Sequence, residues 1–158
     1  MTDVVLLLGS NVGRRVNRLR EGLDAVSRGV SPARASRIYA GEPGGRRGQP
    51  WFLNVALRGR TSLAPDDLLV FVKGVEAAAG RKAGPRWGPR ELDVDIILMG
   101  DREVREPHLT IPHPLMAGRR FCLAPVAEIA PEFAVPPGGM TVRDLLLACG
   151  DPLEVYAI

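Results

Sequence analysis

Asp93 and Asp95 are two carboxylates set one residue apart in the run Leu92-Asp93-Val94-Asp95-Ile96-Ile97-Leu98. In an extended strand, alternate residues point to one face about 6.5 to 7 Å apart at Cα, so the two acids converge. Buried charge needs a partner, and paired hard oxygen ligands suit Mg²⁺, which completes its shell with water and substrate phosphates. Two such ions about 3.5 to 4 Å apart clamp both the attacking and the leaving oxygen of a phosphoryl group. The other reading of the pair is an exposed strand face whose acids meet nearby arginines.

Immediately upstream, Arg86-Trp87-Gly88-Pro89-Arg90 joins two guanidinium groups and an indole on a rigid turn. Guanidinium forks match phosphate oxygens, and cations beside metal-binding acids are what phosphoryl transfer uses, although an Arg-rich turn is also an ordinary solvated loop. His113 stands between two prolines, with Arg119 and Arg120 a few residues on. It is either structural or a donor to phosphate. Asn54, in Phe52-Leu53-Asn54, either satisfies backbone groups or reads the edge of a heterocycle. Gly9-Ser10-Asn11 is not a Walker loop and no GxGxxG occurs, so nucleotide recognition falls to side chains and metal.

These residues need a scaffold, and the apolar pattern supplies one. Val4 to Leu8 reads as a buried strand stopped by a turn, and Val16, Leu19, Leu23 and Val26 recur at helical spacing between Arg14 and Val26. Ala33 to Ala40 can be extended. Gly41 to Pro50, with four Gly and two Pro, is a loop. Phe52 to Leu57 returns to strand, and Pro65 opens a second helix with its stripe at Leu68, Leu69, Val72, Val75 and Ala79. Arg81 to Pro89 is a second Gly/Pro loop leading into the strand of the acids. Further on, Leu109 to Pro114 is extended, Phe121 to Val126 reads as another strand, and Thr141 to Cys149 as a last helix. The order β-α-β-β-α-β predicts an α+β, ferredoxin-like sandwich: a mostly antiparallel sheet with helices on one face and extra short C-terminal elements.

The chain has 158 residues, 46% of them apolar, which fits one globular domain spanning 1–158. Its net charge of +3 is spread along the chain, with no basic block of the kind that binds nucleic acid. A ferredoxin-like RNA-binding module would need exposed aromatics on its sheet, and a regulatory ligand-binding domain would leave the acidic pair and the arginines unexplained. No run approaches the roughly 20 apolar residues of a spanning helix, so the expectation is a cytoplasmic protein that uses no membrane. Cys122 and Cys149 have no metal-ligand or CxxC spacing and are expected to be unpaired core residues.

Taken in order, Leu8-Gly9-Ser10-Asn11, Gln49-Pro50-x-Phe52-Leu53-Asn54, Glu76 with Gly80-Arg81, Arg86-Trp87-Gly88-Pro89-Arg90-x-Leu92-Asp93-Val94-Asp95-Ile96, Leu109-Thr110-Ile111-Pro112-His113 and Arg119-x-Phe121 run through almost the whole chain. Together they resemble the 6-hydroxymethyl-7,8-dihydropterin pyrophosphokinase family. Gly41 stands where that family often has Thr, and His108 where it often has Arg.

The resemblance implies transfer of the diphosphate of ATP to the hydroxymethyl group of the pterin, releasing AMP, in folate biosynthesis. It implies two Mg²⁺ ions on Asp93 and Asp95, with Arg81, Arg90 and Asp95 catalytic. Ile96, Thr110, His113, Arg119 and Trp87 would hold ATP. Phe52 and Phe121 would wall the pterin, with Asn54 and the Gly41, Glu42 and Gly44 stretch reading its edge. The expected partners are these two small molecules, with no nucleic acid and no membrane, and the chain is expected to act as a monomer.

Overall fold

The computed structural model describes residues 1–44, 48–80 and 91–158. In chain order the elements are β1 (Thr2–Ser10), α1 (Arg15–Val26), β2 (Ser31–Ala35), β3 (Tyr39–Gly41), β4 (Phe52–Thr61), α2 (Pro65–Ala78) and β5 (Asp93–Met99). They continue with β6 (Val104–Glu106), β7 (Leu109–Ile111), α3 (Arg120–Ile129), β8 (Ala134–Val135), β9 (Met140–Thr141), α4 (Val142–Ala148) and β10 (Val155–Ala157). The main sheet runs β10-β3-β4-β1-β5, with β2 also on β4, and every pairing in it is antiparallel. The β1-α1-β2/β3-β4-α2-β5 order around a central β1 is the expected ferredoxin-like arrangement.

β1 explains why an unbroken apolar run was needed at its centre. Val4, Leu6 and Leu8 pack with Leu19 and Val26 of α1 and Leu68 and Val72 of α2. Val5 and Leu7 point the other way, into a second core with Ile97, Leu123, Val126 and Ile129. A strand covered on both sides has no polar face to show.

Two expectations are corrected here. Helices lie on both faces of the sheet, because α3 and α4 cover the side opposite α1 and α2. Phe121 to Val126 is helical, within α3, and not a strand. Cys122, Leu123, Val126, Ile129 and Ala130 recur at three- and four-residue spacing and are the face that α3 buries. That spacing outweighs Pro125, whose ring removes one N–H from the helix interior.

α2 starts as the sequence dictates, with Pro65 in its first turn and Asp66 and Asp67 at the positive end of its dipole. It ends at Gly80, whose φ of +88° is open to glycine and costly for other residues. Cys122 and Cys149 are both free, as expected. Among the described residues no helix is long and apolar enough to cross a membrane.

Candidate active site

α3 covers only part of its face of the sheet. Beyond its N-terminus a cavity of about 530 Å³ opens over the ends of β1, β4 and β5. Its floor is built by strand alternation: Leu7 and Gly9 from β1, Phe52 and Asn54 from β4, and Asp93, Asp95 and Ile97 from β5 all face it. One wall is Gly41 to Gly44. The other carries His113, Leu115, Met116, Arg119, Phe121 and Cys122.

Register sets the order of the polar groups. Gly9 lies opposite Asn54 on one side and Asp93 on the other, and Leu7 lies opposite Asp95. The amide and the two carboxylates are therefore neighbours across a central strand whose member at that rank has no side chain. A Cβ on Gly9 would stand 2.5 Å from Asn54 Oδ1 and 3.6 Å from Phe52 Cδ1. Gly41 serves the opposite wall in the same way, since a Cβ there would meet the Phe121 Cβ at 3.2 Å.

Asn54 is buried, and its Nδ2 has no hydrogen-bond partner among the described residues. An unmet buried donor costs about 1 to 3 kcal/mol, so this amide is poised for an acceptor entering the cavity. His113 is fixed at two points: its backbone N–H donates to Ile97 O at 3.0 Å, and its Nδ1 accepts from the Leu115 N–H at 3.2 Å. Burial lowers its pKa, which keeps the imidazole neutral at pH 7 and leaves Nε2–H as its donor. The Cys122 thiol is pushed far above its ordinary range, first by burial and then by the charge of Asp95. It is a protonated, apolar part of the wall and no nucleophile.

The carboxylates suit a hard cation. Asp93 and Asp95 share the cavity, and no group of three or more His, Cys, Asp or Glu is gathered to cage a metal among the described residues. Two protein oxygens leave the remaining positions to water and phosphate oxygens, the way Mg²⁺ is commonly held at nucleotide sites.

Of the residues singled out from sequence, Gly41, Glu42, Gly44, Phe52, Asn54, Asp93, Asp95, His113, Arg119 and Phe121 all line this cavity. Glu42 does so while its carboxylate accepts the Glu154 N–H at 3.0 Å. Ile96 does not: its side chain is buried on the α1/α2 side of the sheet, and the neighbouring Ile97 faces the cavity instead. Thr110 pairs with Arg105 in the β6–β7 hairpin and is not part of the lining. Arg81, Trp87 and Arg90 lie outside the described residues. Gly9 had been given no role; a glycine inside an apolar strand is the sequence signal for such a close approach. Leu115, Met116 and Cys122 were also missed, and nothing in their types distinguishes them from core residues.

Fold and cavity together define a small α+β transferase, with paired carboxylates, an imidazole and a guanidinium gathered at one open end of an antiparallel sheet. The model of the 7,8-dihydro-6-hydroxymethylpterin-pyrophosphokinase (HPPK) family matches residues 5–131. A 2-amino-4-hydroxy-6-hydroxymethyldihydropteridine pyrophosphokinase of Aquifex aeolicus is 38% identical over 136 residues, 86% of this chain and 85% of that protein. The mitochondrial folate synthesis bifunctional protein of Arabidopsis thaliana is 43% identical over 128 residues, 80% of this chain but only 23% of that protein. The Plasmodium falciparum HPPK-DHPS crystal structure superposes with a TM-score of 0.71 at 16% identity, covering 94% of this chain and 43% of the other. The chain belongs to the 7,8-dihydro-6-hydroxymethylpterin-pyrophosphokinase family. Its reaction is the transfer of a diphosphate group from ATP to 6-hydroxymethyl-7,8-dihydropterin in folate biosynthesis.

Proposed function

We propose that the cavity is the pterin pocket and that Asp93 and Asp95 of its floor would hold two Mg²⁺ ions, with residues 1–158 working as one monomeric cytoplasmic domain. The observation that carries this reading is the buried Asn54 amide: its Nδ2 has no partner among the described residues, and Asn54 lines the same cavity as both carboxylates. A pterin edge offers ring-nitrogen and carbonyl acceptors for that donor. Phe52 and Phe121 line the same cavity and supply aromatic surface for a flat heterocycle.

The triphosphate of ATP would lie beside the Asp pair, met by Arg119 and the His113 Nε2–H, with Arg81 and Arg90 as further cations. Thr110, Trp87 and the Ile96 stretch would hold the nucleoside. For Ile96 the contact falls to the backbone, because its side chain is committed to the core. Bound Mg²⁺ neutralises phosphate charge and aligns phosphate oxygens.

The protein's own share is positional. The pterin alcohol would be held near the β-phosphorus; its oxygen bonds there as its proton is released to water, the bond from the β-phosphorus to the oxygen of the α-phosphate breaks, and AMP departs. Asp95 belongs to both the metal set and the catalytic set. An alcohol is a weak nucleophile, so the rate rests on alignment and on guanidinium charge that meets the phosphoryl oxygens as charge shifts.

Titration calorimetry tests the assignment, using pterin and a non-hydrolysable ATP analogue separately. Phe121→Ala and Asn54→Ala should each weaken pterin binding by roughly five- to a hundredfold, from about 1 to 3 kcal/mol per lost stack or hydrogen bond. The analogue should bind nearly as before. A loss confined to the analogue would place the nucleotide in this cavity and overturn the reading.

A further inference from the structure

The HPPK family model stops at residue 131, yet the last ten residues of the chain reach back to both walls of the cavity. On one side, β10 pairs with β3, Val155 opposite Gly41. Glu42 N–H donates to Glu154 O at 2.9 Å, and Glu154 N–H donates to the Glu42 carboxylate at 3.0 Å. Leu153 Cδ1 stands 3.5 Å from where a Cβ on Gly44 would be. The stretch from Gly41 to Gly44 therefore leans on residues 153–155.

On the other side the same segment grips the start of α3. The N-cap residue of α3 is Arg119, whose side chain has no oxygen to accept a backbone N–H, and α3 has no acid in its first turn. Asp151 supplies what is missing from a distance in sequence. Its Oδ2 accepts the Arg120 N–H at 3.1 Å, and its Oδ1 accepts the Leu153 N–H at 3.1 Å, which shapes the strap's own turn. Arg120 answers with its guanidinium, whose Nη2 donates to Cys149 O at 3.1 Å and to Asp151 O at 2.9 Å. One residue further along α3 is Phe121.

We propose that Asp151 is a positioning residue for the pterin site: with Arg120 it ties the C-terminal strap to the first turn of α3, fixing the gap between Phe121 and Gly41. A carboxylate at a helix N-terminus is favourable to the dipole as well as to the orphan N–H, so the tie is directional. The strap holds both walls at once, and a break at Asp151 lets Phe121 drift from Gly41 while the sheet carrying Asp93 and Asp95 keeps its own pairing. This inference rests on the assignment of the cavity to the pterin.

The test is calorimetric titration of the full chain with 6-hydroxymethyl-7,8-dihydropterin and, separately, with a non-hydrolysable ATP analogue. Asp151→Asn retains an oxygen for the Leu153 turn but removes the carboxylate charge and sets an amide N–H against the Arg120 N–H, so it breaks the side-chain half of the tie and leaves the guanidinium bonds to the Cys149 and Asp151 carbonyls, which Arg120→Gln removes. It should weaken pterin binding about three- to tenfold, the scale of one lost hydrogen bond, with the analogue's Kd changed less than twofold. Arg120→Gln should act in the same direction, and keeps the inference testable if Asp151→Asn folds poorly. Unchanged pterin affinity in both variants, or equal losses for pterin and analogue, would overturn it. Phe121→Ala separates the two layers: if it weakens the pterin while the strap variants do not, the inference alone fails. If Phe121→Ala also leaves the pterin unaffected, the site assignment fails with it.

Discussion

Gly9 and Asn54 face each other across β1 and β4, with so little room that a Cβ on Gly9 would fall 2.5 Å from the Asn54 Oδ1. The clashing atom is the end of a side chain, so the sheet survives a methyl group there by turning the amide away. Gly9→Ala should therefore fold, bind the ATP analogue normally, and lose roughly five- to a hundredfold in pterin affinity, the cost of about 1 to 3 kcal/mol for an amide taken off its target. Calorimetry on the variant checks this; pterin affinity equal to that of the unsubstituted chain would mean that Asn54 does not read the ligand.

His113 sets a pH dependence on stability with a definite sign. Burial lowers its folded pKa below the ordinary value of 6.5. The unfolded chain thus takes up a proton at higher pH than the folded one, so as pH falls from about 6.5 to the lowered folded pKa each step favours unfolding. Above that window the contribution is constant. In urea unfolding between pH 5 and 7.5, His113→Gln should show a shallower fall of stability toward acid than the unsubstituted chain. An identical slope in the two proteins would show that His113 charges as easily in the fold as in water.

Arg58 is a structural tie away from the chemistry. From β4 its guanidinium reaches both oxygens of Asp3, at 3.3 and 2.9 Å, and also the Ile129 carbonyl at 3.2 Å and Glu132 at 2.7 Å. It also lies 5.4 Å from the centre of the Phe133 ring. The hydrogen bonds it donates to Asp3 are the chief reason its pKa is held up, with burial opposing. Its side chain is 24% exposed, so water screens part of each pairing. Arg58→Ala should cost about 1 to 3 kcal/mol in thermal or urea unfolding and leave kcat unaltered. A large fall in kcat with stability intact would contradict that division of labour.

Patterns that depend on one element were legible in the sequence; those that depend on two were not. Val4 to Leu8, the stripe from Val16 to Val26, Pro65 and Gly80 each mark their strand or helix locally, and each element lies where those signals put it. The alternation of Asp93 and Asp95 likewise needed only the pleat. Phe121 was harder, because Phe-Cys-Leu-Ala-Pro-Val is apolar throughout, and its proline hides the helical spacing that continues to Ile129 and Ala130. Ile97 rather than Ile96 faces the cavity by the same pleat, since it is the next alternate residue after Asp95. The Asp151–Arg120 tie joins residues 31 apart and has no local signature.

The central claim, that diphosphate transfer depends on Asp93 and Asp95 holding Mg²⁺ beside this cavity, is tested most directly by ³¹P NMR of the products. The unsubstituted chain, given ATP, Mg²⁺ and the dihydropterin, should produce AMP and pterin diphosphate one for one, and nothing when the metal is chelated. Asp93→Asn and Asp95→Asn keep side-chain volume but remove a charged ligand, and each should lower kcat by at least a hundredfold, on the order of 2.7 kcal/mol or more in the barrier, while melting like the unsubstituted chain. Near-normal AMP formation by either well-folded variant would contradict the account.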